Sequence, residues 1–267
     1  MDSRTESLPR SLVSAFQKRS PRSVHFRDEH LCTKIASYNI HKCVGTDRRF
    51  DPDRIASVVA ELDADIVALQ EVDERTGDRQ GLLDLKALER ATGLIPLWVQ
   101  PTVRSHGWHG NLLLARSRIV QEIRPLNLPG LEPRGALIAD LTINGVSLRI
   151  IAAHFGLLRR SRSRQASVLL EAAHSAIQPT VLLGDLNEWR VKSRSSLSNL
   201  LPHFGPVHAP LPSFPSRFPL LALDRIMAKP ASLISSIEIH QTPLSRVASD
   251  HLPVKACLNI APVHDSA

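Results

Sequence analysis

Residues 136–153 read ALIADLTINGVSLRIIAA, two apolar runs joined at Asn144-Gly145. Asn-Gly is the favoured two-residue hairpin turn, because both of its positions accept the positive φ that the turn demands. The middle of the chain therefore predicts antiparallel strands. Further short apolar runs at 111–115 and 118–124 extend that pattern. Towards the N-terminus it changes. KIASYN (34–39) predicts a strand, and Asp51-Pro52 then opens a helix, with Asp suited to the cap and Pro to the first turn. Ile55, Val58, Val59 and Leu62 recur at helical spacing, so one face of that helix is buried. DIVALQ (65–70) follows as a buried strand, and LLDLKALERAT (82–92) as a second helix stopped by Gly93. Beyond the hairpin, 162–177 predicts a helix, TVLLGD (180–185) a strand and 193–201 a short helix. ALDRIMA, LISSIEIH and PVKACLNI finish the chain as strands. Hairpins and strand–helix–strand units thus coexist. Two mixed sheets packed together, with helices outside, accommodate both.

Composition narrows the class. The chain has 267 residues, of which 43% are hydrophobic, enough for a sizeable core. No apolar run approaches the ~20 residues of a membrane span. Lys and Arg number 33 against 26 Asp and Glu, a net charge of +7 that favours polyanionic company. Three cysteines without Cys-x-x-Cys spacing argue against a disulfide framework or a cysteine zinc site, so a reducing, cytoplasmic compartment is expected. Residues 1–30 are Ser- and Arg-rich and read as a basic, disordered extension; 31–260 form the folded domain and 261–267 a tail.

The chemistry collects at strand ends. Five apolar runs terminate in acidic, His or Asn residues: Asn39, Glu71, His154, Asp185 with Asn187, and Asp250 with His251. Singly, each is an ordinary solvated or turn-starting residue. Together they supply carboxylates for a hard, oxygen-preferring ion such as Mg²⁺ or Mn²⁺. Two histidines beside such an ion can take a proton from water and give one to a leaving alkoxide. Zinc fits poorly, since no His-Glu-x-x-His helix is present.

YNIHK (38–42), DADIVALQEV (63–72), GNLLLAR (110–116), PRGAL (133–137), AHFGL (153–157), GDLNEW (184–189), LDRI (223–226) and SDHLPV (249–254) resemble, in order, the blocks of the endonuclease/exonuclease/phosphatase superfamily. The resemblance implies a four-layer α-β-β-α sandwich of largely antiparallel sheets with its site at one rim. It implies Glu71 as the principal metal ligand, with Asn39 beside it and Asp250 as a further metal or His-orienting carboxylate. Asp185 and Asn187 resemble the pair that positions the attacking water and the phosphate. His251 resembles the general base, and His154 the second histidine of pancreatic-deoxyribonuclease-like and sphingomyelinase-like members. Asp224 stands where such members orient that histidine, and Arg134 and Asn111 where phosphate is contacted. Two departures stand out. His109-Gly110-Asn111 occupies the place where pancreatic deoxyribonuclease has a supporting Glu, and the insertions with which repair nucleases grip duplex DNA are missing.

Three functions follow as expectations. The first is a metal-dependent nuclease, its substrate held by Arg159, Arg160, Arg162 and Arg164 after His154 and by Arg190, Lys192 and Arg194 after Asn187. The second is a phosphodiesterase or phosphatase acting on phospholipid headgroups or other organophosphates, with the basic extension docking on anionic lipid. The third is a catalytically inactive binding module. Trp189 is expected beside the site, Trp98 in the core, and Trp108, with His106 and His109, on a plain rim loop. Oligomeric state has no sequence signal.

Overall fold

The computed structural model describes residues 32–97, 104–116, 120–190, 195–204 and 211–260. The N-terminal extension, the C-terminal tail, Trp98, Lys192 and Arg194 lie outside the described residues. A six-stranded sheet runs in the order β10 (Ile234–Ile239), β11 (Val254–Asn259), β1 (Cys32–Asn39), β2 (Ile66–Gln70), β4 (Leu112–Ala115), β3 (Ile95–Leu97). A five-stranded sheet runs β5 (Val120–Leu128), β6 (Arg134–Ile143), β7 (Val146–His154), β8 (Thr180–Asp185), β9 (Asp224–Lys229). Each sheet contains one parallel pair. β1 and β2 are joined through α1 (Pro52–Leu62), and β7 and β8 through α3 (Arg159–His174). The other pairings are antiparallel.

Side-chain alternation produces the layers. Along β2, Ile66 and Ala68 join a central core, while Val67 and Leu69 join a second core with Ile55, Val58 and Leu62 of α1 and Leu88 of α2 (Leu85–Thr92). Along β7, Ile150 and Ala152 face the central core, while Ile151 and Ala153 face a third core with Ala166 and Leu169 of α3. Three cores separate four layers: helices, sheet, sheet, helix. Both sheets are buried on both faces, which is why their inner strands read as continuous apolar runs. At the predicted hairpin Asn144 and Gly145 take φ 52° and 79°, and Ile143 pairs with Val146.

The helix ends follow their local chemistry. Asp51 Oδ1 accepts from Arg54 N at 2.9 Å with Pro52 in the first turn, a cap of about 1 kcal/mol. Asp84 caps α2 through Ala87 N, so the helix begins at Leu85, later than the 82–92 expected; Gly93 ends it at φ 72°. α3 starts and ends three residues earlier than expected, at Arg159 and His174. The short helix predicted over 193–201 does not form where the chain is described. Residues 196–203 make turns instead, pinned by buried Leu197 and Leu200.

The expectation of no disulfide is also corrected. Cys32 and Cys257 are bonded, their Cα atoms 5.4 Å apart across the β1–β11 pair, while Cys43 is free and buried. No local spacing announces a bond between residues 225 positions apart, because strand pairing alone brings them together. The bond removes the ground in cysteine usage for a reducing compartment. Among the described residues no helix is long and apolar enough to cross a membrane.

Candidate active site

Parallel neighbours end at the same rim, and an antiparallel neighbour begins there. Asn39 closes β1 opposite Gln70, and Glu71 follows directly. His154 closes β7 opposite Asp185, the last residue of β8, and Asp224 opens β9 opposite Asp185. Asp250 and His251 precede β11, where Ser249 Oγ donates to the Asn39 carbonyl at 2.7 Å. The rims of the two sheets are tied by Asn39 Nδ2, which donates to Asp185 Oδ2 at 3.0 Å. All five strand endings predicted from sequence therefore converge on one edge of the sandwich.

Asp185 is the hub. Its Oδ1 accepts from Asn187 N at 2.9 Å, a tight turn that Asn187 makes with φ 49°. Its Oδ2 receives Asn39 and lies 3.4 Å from His154 Nε2 and 3.8 Å from His251 Nε2. The two imidazoles are thus arranged around one buried carboxylate oxygen.

Their electrostatics differ. His251 Nδ1 lies 2.8 Å from Asp224 Oδ2. Burial pulls its pKa down, but the charges of Asp224 and Asp185 and the hydrogen bond to Asp224 outweigh burial and lift it to about 10. His154 is pulled down to about 3, chiefly by burial, with the neighbouring Arg134 and His251 adding to the effect against Asp185. Arg134 Nη1 lies 2.9 Å from both ring nitrogens of His154, and its Nε and Nη2 donate to Glu132 Oε2. One histidine is therefore charged at neutral pH and the other neutral. Asp224 pairs with His251, a correction to its expected partnership with His154.

Glu71 takes φ 63°, a strained backbone for a non-glycine residue that costs about 1–3 kcal/mol. Its side chain enters a cleft of about 270 Å³ that Arg134 and His154 also line, with Lys42, Arg75, Arg79 and His109 on the same walls. Lys42 Nζ and Arg75 Nη2 each approach its carboxylate to 4.0 Å. Asp250 stands at the rim, with Oδ1 3.4 Å from Ser249 Oγ and 3.8 Å from His41 Nδ1.

Two expected substrate contacts are corrected. Asn111 is fully buried; its Nδ2 donates to the carbonyls of Trp108 and Gly135, which fixes the turn before β4 and leaves nothing for phosphate. Arg162, on α3, is buried, donating to Ser196 Oγ, Glu188 Oε2 and the carbonyls of Gly156 and Leu157. It clamps loops together, whereas Arg159, Arg160 and Arg164 are exposed. His109, expected on a plain loop, reaches the cleft, with Nδ1 2.7 Å from Arg79.

Residues 36–251 match the endonuclease/exonuclease/phosphatase family along nearly the whole described domain. The chain belongs to this family. Members of the family are hydrolases of phosphate esters. The chain is 31% identical over 252 residues to the uncharacterized protein YbhP of Escherichia coli strain K12, covering 85% of this chain and 96% of that one. Two solved structures share the fold. A mannosyl-6-phosphatase of Bacteroides thetaiotaomicron matches with TM-score 0.63 and 18% identity, over 84% of this chain and 98% of its own. TDP2 of D. rerio, complexed with a single-strand DNA product, matches with TM-score 0.63 and 18% identity, over 87% and 100%.

The divalent metal implied by this family fits the residues present. Asp185, Asp224 and His251 bring ligand atoms within 4.8 Å of one another, all buried. Asp224 Oδ1 is buried without a protein partner, and an orphaned carboxylate oxygen is a liability unless a cation or donor satisfies it. That grouping differs from the expected ligand set of Glu71, Asn39 and Asp250, of which Asn39 donates to Asp185 and Asp250 precedes His251. Oxygen dominates both groups, as hard cations require. Two contributors escaped the sequence. Ser213 Oγ donates to Asp224 Oδ2 at 2.5 Å from a loop with no motif. Glu132, which positions Arg134, carried one faint signal, its place just before PRGAL.

Proposed function

We propose that this chain is a divalent-metal-dependent phosphodiesterase that transfers its substrate's phosphoryl group to water. One observation carries this: Asp185 Oδ2 lies between His154 Nε2 at 3.4 Å and His251 Nε2 at 3.8 Å, at the edge of a cleft lined by Arg134. Environments that push two titratable groups in opposite directions mark an acid/base site. Asp185, fixed by Asn39 and Asn187, orients the attacking water and receives its proton. His251 rests with its proton on and delivers it to the leaving oxygen, the reverse of the base role that the resemblance implied. Asp224 holds His251 in the donor orientation. Arg134, with Lys42 and Arg75, faces the negative charge that grows on phosphate. Glu71, Asn39 and Asp250, with Asp185 and Asp224 as neighbouring oxygen donors, would hold Mg²⁺ or Mn²⁺, which supplies Lewis-acid polarisation of the phosphate when bound.

Nucleic acid is one substrate class, supported by the net charge of +7 and the exposed arginines after β7. Phospholipid headgroups are the second, supported by exposed apolar side chains on the same rim, among them Leu157 and Trp189. The family fold serves both a DNA-bound protein and a sugar phosphatase, so substrate follows from the rim and not from the sandwich. The test is parallel incubation of the protein with plasmid, single-stranded DNA, RNA, phospholipid vesicles and a chromogenic phosphodiester, with Mg²⁺, Mn²⁺ or chelator. Metal-dependent hydrolysis abolished by Asp185→Asn is expected. Hydrolysis that survives both chelator and Asp185→Asn would defeat the proposal.

A further inference from the structure

Large apolar side chains exposed on this chain gather where the chemistry is. Leu157 and Leu158, 63% and 50% exposed, follow His154, and Trp189, 48% exposed, follows Asn187. Leu131, 86% exposed, precedes the Glu132 and Arg134 pair. These loops adjoin one another. Leu157 N donates to Glu132 Oε1 at 2.8 Å, and Arg162 joins the Leu157 carbonyl to Glu188, the residue before Trp189. Across the Asp250–His251 loop, Phe218 and Leu220, each 76% exposed, tip a segment whose Ser216 N donates to the Asp250 carbonyl at 2.7 Å. Six of the eight large hydrophobic side chains exposed among the described residues lie on these loops; the other two are Phe50, just before α1, and Ile177, ahead of β8.

Among the charges between them the exposed ones are mainly arginines. Exposed Arg159 and Arg160 follow Leu158, Arg217 precedes Phe218, and the Arg190 guanidinium lies 4.5 Å over the Trp189 ring. The acidic neighbours are already engaged: Glu132 with Arg134, and Glu188 with Arg162 and Arg190. Exposed apolar side chains gathered on adjoining loops and rimmed by charge mark a contact surface. Two occupants could meet such a rim. A polynucleotide is gripped by cations and by aromatic stacking, and aliphatic loop tips add nothing to it. A bilayer interface rewards aliphatic, Trp and Phe side chains by burial, and arginines by attraction to anionic headgroups. Leu131, Leu157, Leu158 and Leu220 are accounted for by the second occupant and not by the first.

We propose that this rim docks the protein on an anionic phospholipid surface, with the active site opening onto the headgroups. The substrate class that follows, a phosphodiester in a lipid headgroup, rests on the phosphodiesterase function proposed above; the docking itself does not. The experiment is cosedimentation of the full chain with vesicles of phosphatidylcholine alone or mixed with phosphatidylglycerol. Wild type is set beside Leu131→Ser/Leu157→Ser/Leu158→Ser and Phe218→Ser/Leu220→Ser, with circular dichroism confirming folding. Wild type is expected to bind the phosphatidylglycerol vesicles, and each set of substitutions to weaken binding by roughly tenfold or more. Hydrolysis of a soluble chromogenic diester is expected to be unchanged in both. Binding by the variants equal to wild type, or no binding by wild type, overturns the docking surface. Retention of single-stranded DNA by wild type and variants alike, without vesicle binding, assigns the rim to nucleic acid instead. Vesicle binding by a protein that hydrolyses no diester leaves the docking intact and defeats the enzymatic proposal alone.

Discussion

Asp224→Asn separates the charge at the His251 pair from its geometry. In the native site Asp224 Oδ2 lies 2.8 Å from His251 Nδ1 and 2.5 Å from Ser213 Oγ, and the Asp224 and His251 side chains are only 0% and 7% exposed. An amide oxygen placed at the Oδ2 position keeps both bonds, so the ring stays oriented while the negative charge is lost. A charge-assisted bond in such a place is worth about 1.5–3 kcal/mol, which converts to a loss of roughly 10- to 150-fold in rate. The Asp224 charge is the largest of the influences raising His251, so His251 loses its proton at a lower pH in the variant. A proton donor must hold its proton to work. The alkaline limb of the kcat profile, set in the wild type by a group near 10, therefore moves to lower pH in Asp224→Asn.

The assay is initial-rate hydrolysis over a range of pH with two soluble diesters, one with an aryl leaving group and one with an alkyl leaving group. An aryl oxide departs without help, whereas an alkoxide needs the proton. The loss in Asp224→Asn is thus expected to be much larger for the alkyl ester. Equal losses for the two esters, together with an unmoved alkaline limb, would refute the donor role of His251 and return it to the base role.

Further outcomes are expected from the same structure. Asp185→Asn removes the carboxylate on which both histidines converge, and a loss of at least ~10²–10³ in kcat is expected with KM little changed; a variant impaired only in KM would place Asp185 in binding. Asp140 and Arg149 form a two-pronged pair at 2.7 Å with side chains 12% and 9% exposed, so Asp140→Asn is expected to cost about 3–5 kcal/mol in urea unfolding. The hydrogen bonds from Arg149 hold the Asp140 carboxyl below its ordinary value. Its contribution is therefore present above the ordinary carboxylate range and lost as pH falls through the lower folded value, so the gap between wild type and variant should close in acid. Cys32→Ser is expected to lower stability by about 2–4 kcal/mol, and the unfolded, unreduced wild type should offer a single thiol, Cys43, to an alkylating reagent.

What was legible follows from which physics is local. Asn144-Gly145, Asp51-Pro52 and Gly93 act within a few residues, and each of those turns and helix ends lies where the sequence put it. The five polar strand endings were legible because a strand buried on both faces can change to polar residues only where it reaches a rim. Partnerships across elements were not. Arg162 reads as a substrate-holding cation until Glu188 and Ser196 arrive from another loop. Asn111 reads as a phosphate ligand until the Gly135 carbonyl claims its amide. Cys32 and Cys257 have no common signal until β1 lies against β11.

The same distinction explains the choice of histidine for Asp224. The β8–β9 register sets Asp224 directly opposite Asp185, and like charges facing one another across an antiparallel pair destabilise a sheet. An ordinary sheet avoids that pairing. Here the cost is offset because His251 inserts between the two carboxylates, with Nδ1 at 2.8 Å from one and Nε2 at 3.8 Å from the other. His154 cannot serve, since its ring already faces the Arg134 guanidinium and a second positive charge would be repelled. The carboxylate pair thus dictates which histidine is charged, and burial, with the arginine adding to it, dictates which is neutral. The acid/base asymmetry of the site is therefore a consequence of strand register, which is why no single motif displays it.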